Sequence, residues 1–264
     1  MFDKIGFIGT GNMGSAVAHA VAGQGRELLL ANRTPAKAQV LADAVGGRVV
    51  KNPEAAGESK LLFLCVKPQM MADMLEDIAP VLAARDDRFV LVTMAAGLTC
   101  ESIRDMADGL YPVIRMMPNT PCAIGAGVIQ YCGLGVTQEE LDEFAELLKP
   151  AGLVDKVEER LIDAASAVSG CGPAFAYLFM EALADGAVAC GLPRDKAMAY
   201  AAQMVEGSAR MVLESGKHPG VLKDAVCSPG GTTIQGVRAL EEGGFRAAAM
   251  NAVIKAYEKT LTLK

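Results

Sequence analysis

The sequence predicts an α/β fold in which a doubly wound, mostly parallel sheet is followed by an all-helical domain. Three observations predict it. Short apolar runs alternate with amphipathic segments as far as about residue 156, and the first run ends in a glycine-rich turn that opens a helix. Beyond Glu158 the strand signals stop while helix-length segments continue. Such alternation places helices on both faces of a parallel sheet. A chain of 264 residues exceeds the usual single-domain size, so two domains are expected, at 1–157 and 158–264.

Lys4–Ile8 is the first apolar run; Leu28–Ala31, Arg48–Val50, Leu61–Val66, Phe89–Thr93 and Val113–Met117 follow as strands. Helices fill the intervals. Pro35 after Thr34 and Pro53 after Asn52 mark helix starts, because proline's fixed φ suits the first turn, where its missing N–H is no loss. Thr137 with Glu140 three residues on is a capping-box pair. In the second region Leu161–Val168, Pro173–Cys190, Pro193–Glu214, Thr232–Glu242 and Phe245–Leu261 read as helices, punctuated by Gly191 and by Gly243-Gly244. Ala174–Val188 is apolar around most of its circumference, so one buried stripe cannot account for it. So short a helical region cannot cover that surface alone, and homodimerisation through it is expected.

Hydrophobic residues make up 52% of the chain without a single Trp; they are mainly Ala, Leu, Val and Met, which suits helices packed on helices. A net charge of −6 with no basic or acidic tail speaks against nucleic acid as a partner. The most hydrophobic stretch, Ala174–Leu192, is interrupted by Glu181 and Asp185, so no membrane span is expected. The chain enters a strand without a charged, apolar leader, and a cytoplasmic protein is expected. Seven cysteines contain no CxxC pattern and His19 and His218 are the two histidines, so neither a metal site nor a disulfide framework is expected. The cysteines read as small core hydrophobes.

The turn Gly9-Thr10-Gly11-Asn12-Met13-Gly14 follows Ile8 directly and opens a helix, the context a Rossmann dinucleotide fingerprint requires. Gly9 permits the tight turn, Gly11 lets a pyrophosphate approach the backbone, and Gly14 lets helix and strand pack closely. The phosphates then meet free N–H groups at the positive end of the helix. Where the second strand ends the chain reads Asn32-Arg33-Thr34, with no carboxylate for a ribose 2′-hydroxyl and none to repel a 2′-phosphate. NADPH is therefore the expected cofactor, with NADH less favoured and with Asn32 and Arg33 at the 2′-phosphate. Further strand ends, Cys65-Val66-Lys67-Pro68 and Met94-Ala95-Ala96-Gly97, should face the same cofactor. Pro68 and the small Ala-Ala-Gly turn bring backbone close to a flat ring, and Lys67 reads as held for its backbone position.

A second glycine-rich turn, Ser228-Pro229-Gly230-Gly231-Thr232-Thr233, also runs into a helix. Free N–H groups there, with two hydroxyls, could receive a small carboxylate or serve as a plain helix cap. Together with this turn, the Asn12-Met13 fingerprint, Val66-Lys67-Pro68, Arg115–Pro121, the SGxGP turn at 169–173 and His218-Pro219-Gly220 occur in the order seen in the pyrroline-5-carboxylate reductase family, which this chain resembles over nearly its whole length. The resemblance implies NAD(P)H-dependent reduction of 1-pyrroline-5-carboxylate to L-proline, the last step of proline synthesis, in an oligomer whose helical domains interlock as dimers. It also implies cofactor contacts from Ile8 to Met13 and at Asn52, Cys65–Pro68 and Met94–Ala96. Substrate contacts are implied at Thr232, Thr233 and Glu159. Ala225 and Cys171 depart from the Asn and Ser of some members.

The residues agree with imine chemistry. Reducing a ketone creates an alkoxide that demands a proton donor, whereas a cyclic imine can bind already protonated. Pro173–Cys190, where related hydroxyacid dehydrogenases keep a catalytic lysine, has neither Lys nor His; Tyr177 is a candidate donor or a core residue. The expected arrangement has backbone N–H groups around Gly230–Thr232 on the carboxylate and the Thr233 hydroxyl on the ring nitrogen as the catalytic contact. The competing readings are a β-hydroxyacid dehydrogenase of the same architecture and a non-catalytic, NADP-sensing dimer.

Overall fold

A computed structural model describes residues 2–263, so Met1 and Lys264, the outer limits of the two expected domains, lie outside the described residues. The chain divides into two compact units, one running through Cys171 and including the stretch from Ala256 onward, the other Gly172–Lys255.

In the first unit the order is β1 (Lys4–Ile8), α1 (Asn12–Val21), β2 (Glu27–Ala31), α2 (Pro35–Val45), β3 (Arg48–Val49), α3 (Asn52–Glu58), β4 (Leu61–Leu64), α4 (Met71–Ala83), β5 (Val90–Thr93), α5 (Cys100–Met106) and β6 (Val113–Met117). Then come β7 (Gly127–Leu134), α6 (Gln138–Leu148), β8 (Gly152–Lys156) and α7 (Glu159–Ser169). These strands form an eight-stranded sheet in the order β3-β2-β1-β4-β5-β6-β7-β8. All neighbours are parallel except β6 and β7, so the expected doubly wound, mostly parallel sheet is present. The continuous apolar runs follow from that: Leu61 to Leu64 and Val90 to Val92 are inaccessible because helices cover both faces. Phe7 stacks on Phe63 with ring centroids 4.7 Å apart.

Two strands and one helix were not legible. β7 has glycine at 127 and again at 133, and Gln130 inside it, so its apolar pattern is broken. Its pairing with β6, which sets Met116 opposite Tyr131, is nonetheless what buries it. Gly152 opens β8 at φ +131, where a Cβ would stand 2.2 Å from the Gly127 carbonyl oxygen. The compact units divide after residue 171 rather than after the expected 157, because α7 packs on β6 and β7. Arg115 of β6, 1% exposed, pairs there with Asp163 of α7.

The second unit contains α8 (Gly172–Ala189), α9 (Arg194–Ser215), α10 (Pro219–Ala225), α11 (Thr232–Glu242) and most of α12 (Phe245–Leu261). Small residues at Ala184, Ala197 and Ala201 let α8 and α9 approach closely. Seven-residue α10 was not expected; it begins after His218, whose Nδ1 accepts the Gly220 N–H. Tyr177 is 58% and Leu178 68% exposed, so Tyr177 is no core residue of a single chain.

Judged with the residues before Ala174, the helical run Glu159–Ala189 is long and apolar enough, by length and composition, to cross a membrane, with 11% of its most apolar window buried. An uncovered apolar helix face needs a partner surface.

Candidate functional site

The sheet changes winding direction between β1 and β4, and ligands of such sheets bind beyond the strand ends at that point. A cleft of about 1140 Å³ opens there. It gathers Ile8, Gly9, Thr10, Gly11 and Asn12 from the first turn, Asn32 and Arg33 from the end of β2, Asn52 from α3, and Cys65, Val66 and Lys67 from the end of β4.

Local backbone explains the first turn. Gly9 sits at φ +105, and a Cβ on it would stand 2.7 Å from the Cys65 carbonyl oxygen. On Gly14 a Cβ would meet the Gly9 carbonyl oxygen at 2.3 Å, so Gly14 is required for packing and does not line the cleft. Gly11 differs: around its absent side chain there is no atom within 4 Å. It caps α1 without any side-chain hydrogen bond, leaving the first-turn N–H groups directed at the cleft.

The Thr10 hydroxyl is buried and has no hydrogen-bond partner among the described residues. An orphaned hydroxyl, open space over Gly11 and an uncapped helix N-terminus are together the receptor a diphosphate fits. Behind the turn, burial pushes the Cys65 thiol pKa up and keeps it neutral.

Some expected residues lie elsewhere. Met13, Pro68, Met94, Ala95 and Ala96 do not line the cleft. Next to them Gly97 adopts φ +80, and a Cβ there would stand 3.0 Å from Leu263 Cβ. Conversely, Ser15, Thr34, Lys37, Asp73 and Asp77 line it without having been singled out. Ser15 Oγ donates to the Thr10 carbonyl at 3.2 Å, and Asn32 Nδ2 to that of Thr34 at 3.1 Å. Lys37 carried a readable signal. It lies in the first turn of α2, where the helix dipole disfavours a cation, and a lysine placed against the dipole beside Arg33 points to a nearby anion.

In the second unit Gly230 adopts φ +70, and the Gly231 N–H donates to the Ser228 carbonyl at 3.0 Å. The Gly231 amide is thus consumed by the turn. The first-turn N–H groups of α11, from Thr232 onward, have no acceptor within the helix, and Thr232 and Thr233 are exposed. Glu159 opens α7 in the first unit. Its Oε1 accepts the Cys100 N–H at 2.7 Å and lies 3.7 Å from Arg115 Nη1.

Comparison with known proteins places this geometry. Residues 159–263 match the family model for pyrroline-5-carboxylate reductase dimerisation, and residues 4–97 that for NADP oxidoreductase, coenzyme F420-dependent. The pyrroline-5-carboxylate reductase of Escherichia coli (strain K12) is 40% identical over 266 positions, covering 98% of each chain. This chain belongs to the pyrroline-5-carboxylate reductase family. The crystal structure of Plasmodium falciparum pyrroline carboxylate reductase with NADP bound is 30% identical at TM-score 0.85, covering 98% of this chain and 97% of that one. The pyrroline-5-carboxylate reductase of Coxiella burnetii has TM-score 0.90 at 29% identity, over 100% and 99%. The apolar face of α8 falls inside the dimerisation match, which supports self-association as its covering.

Proposed function

We propose that this chain reduces the cyclic imine 1-pyrroline-5-carboxylate to L-proline with NADPH, as its family does, and that the uncapped turn at Gly11 with its orphaned Thr10 hydroxyl receives the cofactor. NADPH supplies the hydride that reduces the imine carbon. Ile8–Asn12 hold the diphosphate through backbone N–H groups, Asn32, Arg33 and Lys37 take the 2′-phosphate, and Asn52 and Cys65–Lys67 border the rest. Arg33 and Lys37 line the cleft together, which supports the preference for the phosphorylated cofactor.

Thr232 and the following amides of α11 hold the substrate carboxylate, with Ser228, Gly230 and Gly231 shaping the turn. Because Gly231 donates to Ser228, the anion-binding amides start at Thr232 rather than at Gly230. The Thr233 hydroxyl hydrogen-bonds the ring nitrogen, and Glu159 contacts the substrate. Positioning and electrostatics carry the rate; an imine bound already protonated at nitrogen becomes a neutral amine when hydride adds to its carbon, so that step needs no proton donor to the nitrogen.

The division of labour is residues 1–157 for the cofactor and 158–264 for self-association and substrate, in a cytoplasmic enzyme that uses neither nucleic acid nor membrane. Loss of NADPH absorbance on adding pyrroline-5-carboxylate tests this reading, with a 3-hydroxy acid plus NADP⁺ as control. Activity with the hydroxy acid alone would sink it.

A further inference from the structure

The seven cysteines are scattered in sequence and show no metal-ligand spacing, yet the fold brings two of them against a carboxylate. Cys100 opens α5, and Cys132 lies on β7, which the antiparallel turn after β6 carries back beside it. Their sulfurs are 3.9 Å apart and both residues are buried. One carboxylate oxygen of Glu159 lies with both sulfurs in a group whose atoms are all within 4.8 Å of one another. We propose that Cys100, Cys132 and Glu159 form a binding site for a thiophilic divalent cation of the zinc class, closed on its protein side and open beside Glu159.

The distances carry the argument first. Zinc–sulfur bonds of about 2.3 Å at a tetrahedral angle place two thiolates about 3.8 Å apart, which the observed 3.9 Å already matches. The carboxylate has to move about an ångström inward to complete three protein ligands. Glu159 can do so because its side chain is 34% exposed, and that exposure is also the entry path. A fourth position is left for water or an external ligand.

Charge carries it next. The groups facing the site are the two thiols, the Glu159 carboxylate, and the Arg115 guanidinium with the Asp163 carboxylate paired to it. A guanidinium 3.7 Å from Glu159 Oε1 opposes a bare cation. Binding, however, releases both thiol protons as the divalent ion enters, so the net charge of the pocket does not change.

Occupancy should also act on the reaction, since Glu159 would turn from its present contacts to the metal. This second step rests on the proposal that Glu159 contacts substrate; binding itself does not.

The test uses the full-length protein with Zn²⁺ as the probe, followed by metal analysis after equilibrium dialysis and by proton release in weak buffer. The expected result is a single zinc per chain and two protons released per metal. Cd²⁺ in its place should give the ultraviolet charge-transfer absorption of thiolate ligation. Cys100→Ser/Cys132→Ser should abolish that absorption, and Glu159→Gln should weaken zinc by at least the roughly 10- to 100-fold that loss of an outer-shell partner costs. Native protein that takes up no zinc, or zinc uptake unchanged in the double cysteine variant, overturns the site; the first result needs no variant to fold. Zinc bound with full reductase activity keeps the site and overturns the Glu159 substrate contact instead.

Discussion

Gly11 and Gly14 lie three residues apart in one turn, and adding a methyl group to each should have opposite consequences. Gly14→Ala places a Cβ 2.3 Å from the Gly9 carbonyl oxygen and 3.1 Å from Cys65 Cβ. Backbone cannot rotate away as a side-chain tip can, so the turn must shift. Overpacking of this kind costs about 1–3 kcal/mol, and at about 2–4 °C per kcal/mol for a chain of this size the melting temperature should fall by roughly 2–12 °C. Gly11→Ala meets no atom within 4 Å at φ −77 and ψ −173, backbone that any residue adopts. Losing glycine at an N-cap costs up to about 1 kcal/mol, and the smaller unfolded-state entropy of alanine returns about 0.4–1 kcal/mol. Stability should therefore hardly move. The new methyl group instead occupies the space assigned to the diphosphate, removing at least one charge-assisted hydrogen bond of about 1.5–3 kcal/mol. The KM for NADPH should rise by about 10- to 100-fold. Calorimetry and initial-rate kinetics on both variants read the two effects separately. Gly11→Ala with wild-type NADPH affinity would refute the cradle, and Gly14→Ala with an unchanged melting temperature would refute the packing account.

Thr233→Ala should lower kcat/KM for pyrroline-5-carboxylate by about 10²- to 10³-fold while leaving the NADPH dissociation constant and the melting temperature alone, because Thr233 is exposed; equal kinetics would remove it from the site. Arg33→Ala and Lys37→Ala should each cost about tenfold or more in kcat/KM with NADPH and nothing with NADH, so parallel losses with both cofactors would exclude a 2′-phosphate role. Glu140 is 2% exposed, and the hydrogen bonds from Arg88 lower its pKa from the usual 4.5. Its contribution is therefore complete above pH 4.5 and is lost as acid protonates the folded state. Glu140→Gln should unfold about 1–3 kcal/mol more easily at neutral pH, and the gap to wild type should shrink as the pH falls below 4.5 and through the lowered pKa of the folded state in urea titrations; a gap independent of pH would assign the loss to packing.

The parts of the molecule that were legible in sequence are those whose interactions are local. Gly9, Gly11 and Gly14 act through the backbone of their own turn and the strand beside it, so spacing alone states their roles, and the Thr137–Glu140 box is complete within four residues. Legibility fails where the partner comes from far along the chain. β7 contains two glycines and a glutamine, and becomes a strand through its pairing with β6. The Gly231 amide looked available for an anion because the bond that takes it, to Ser228, depends on turn geometry rather than on residue type. Cys100 and Cys132 show the limit most clearly. Metal-ligand motifs are recognised because the ligands lie close together in sequence, but the fold brings together two sulfurs 32 positions apart, one at the start of α5 and one on β7, and α7 then adds Glu159 from a third place. What decides whether such a group is chemistry or packing is the separation of the donor atoms and the charge around them, and both are properties of the folded chain.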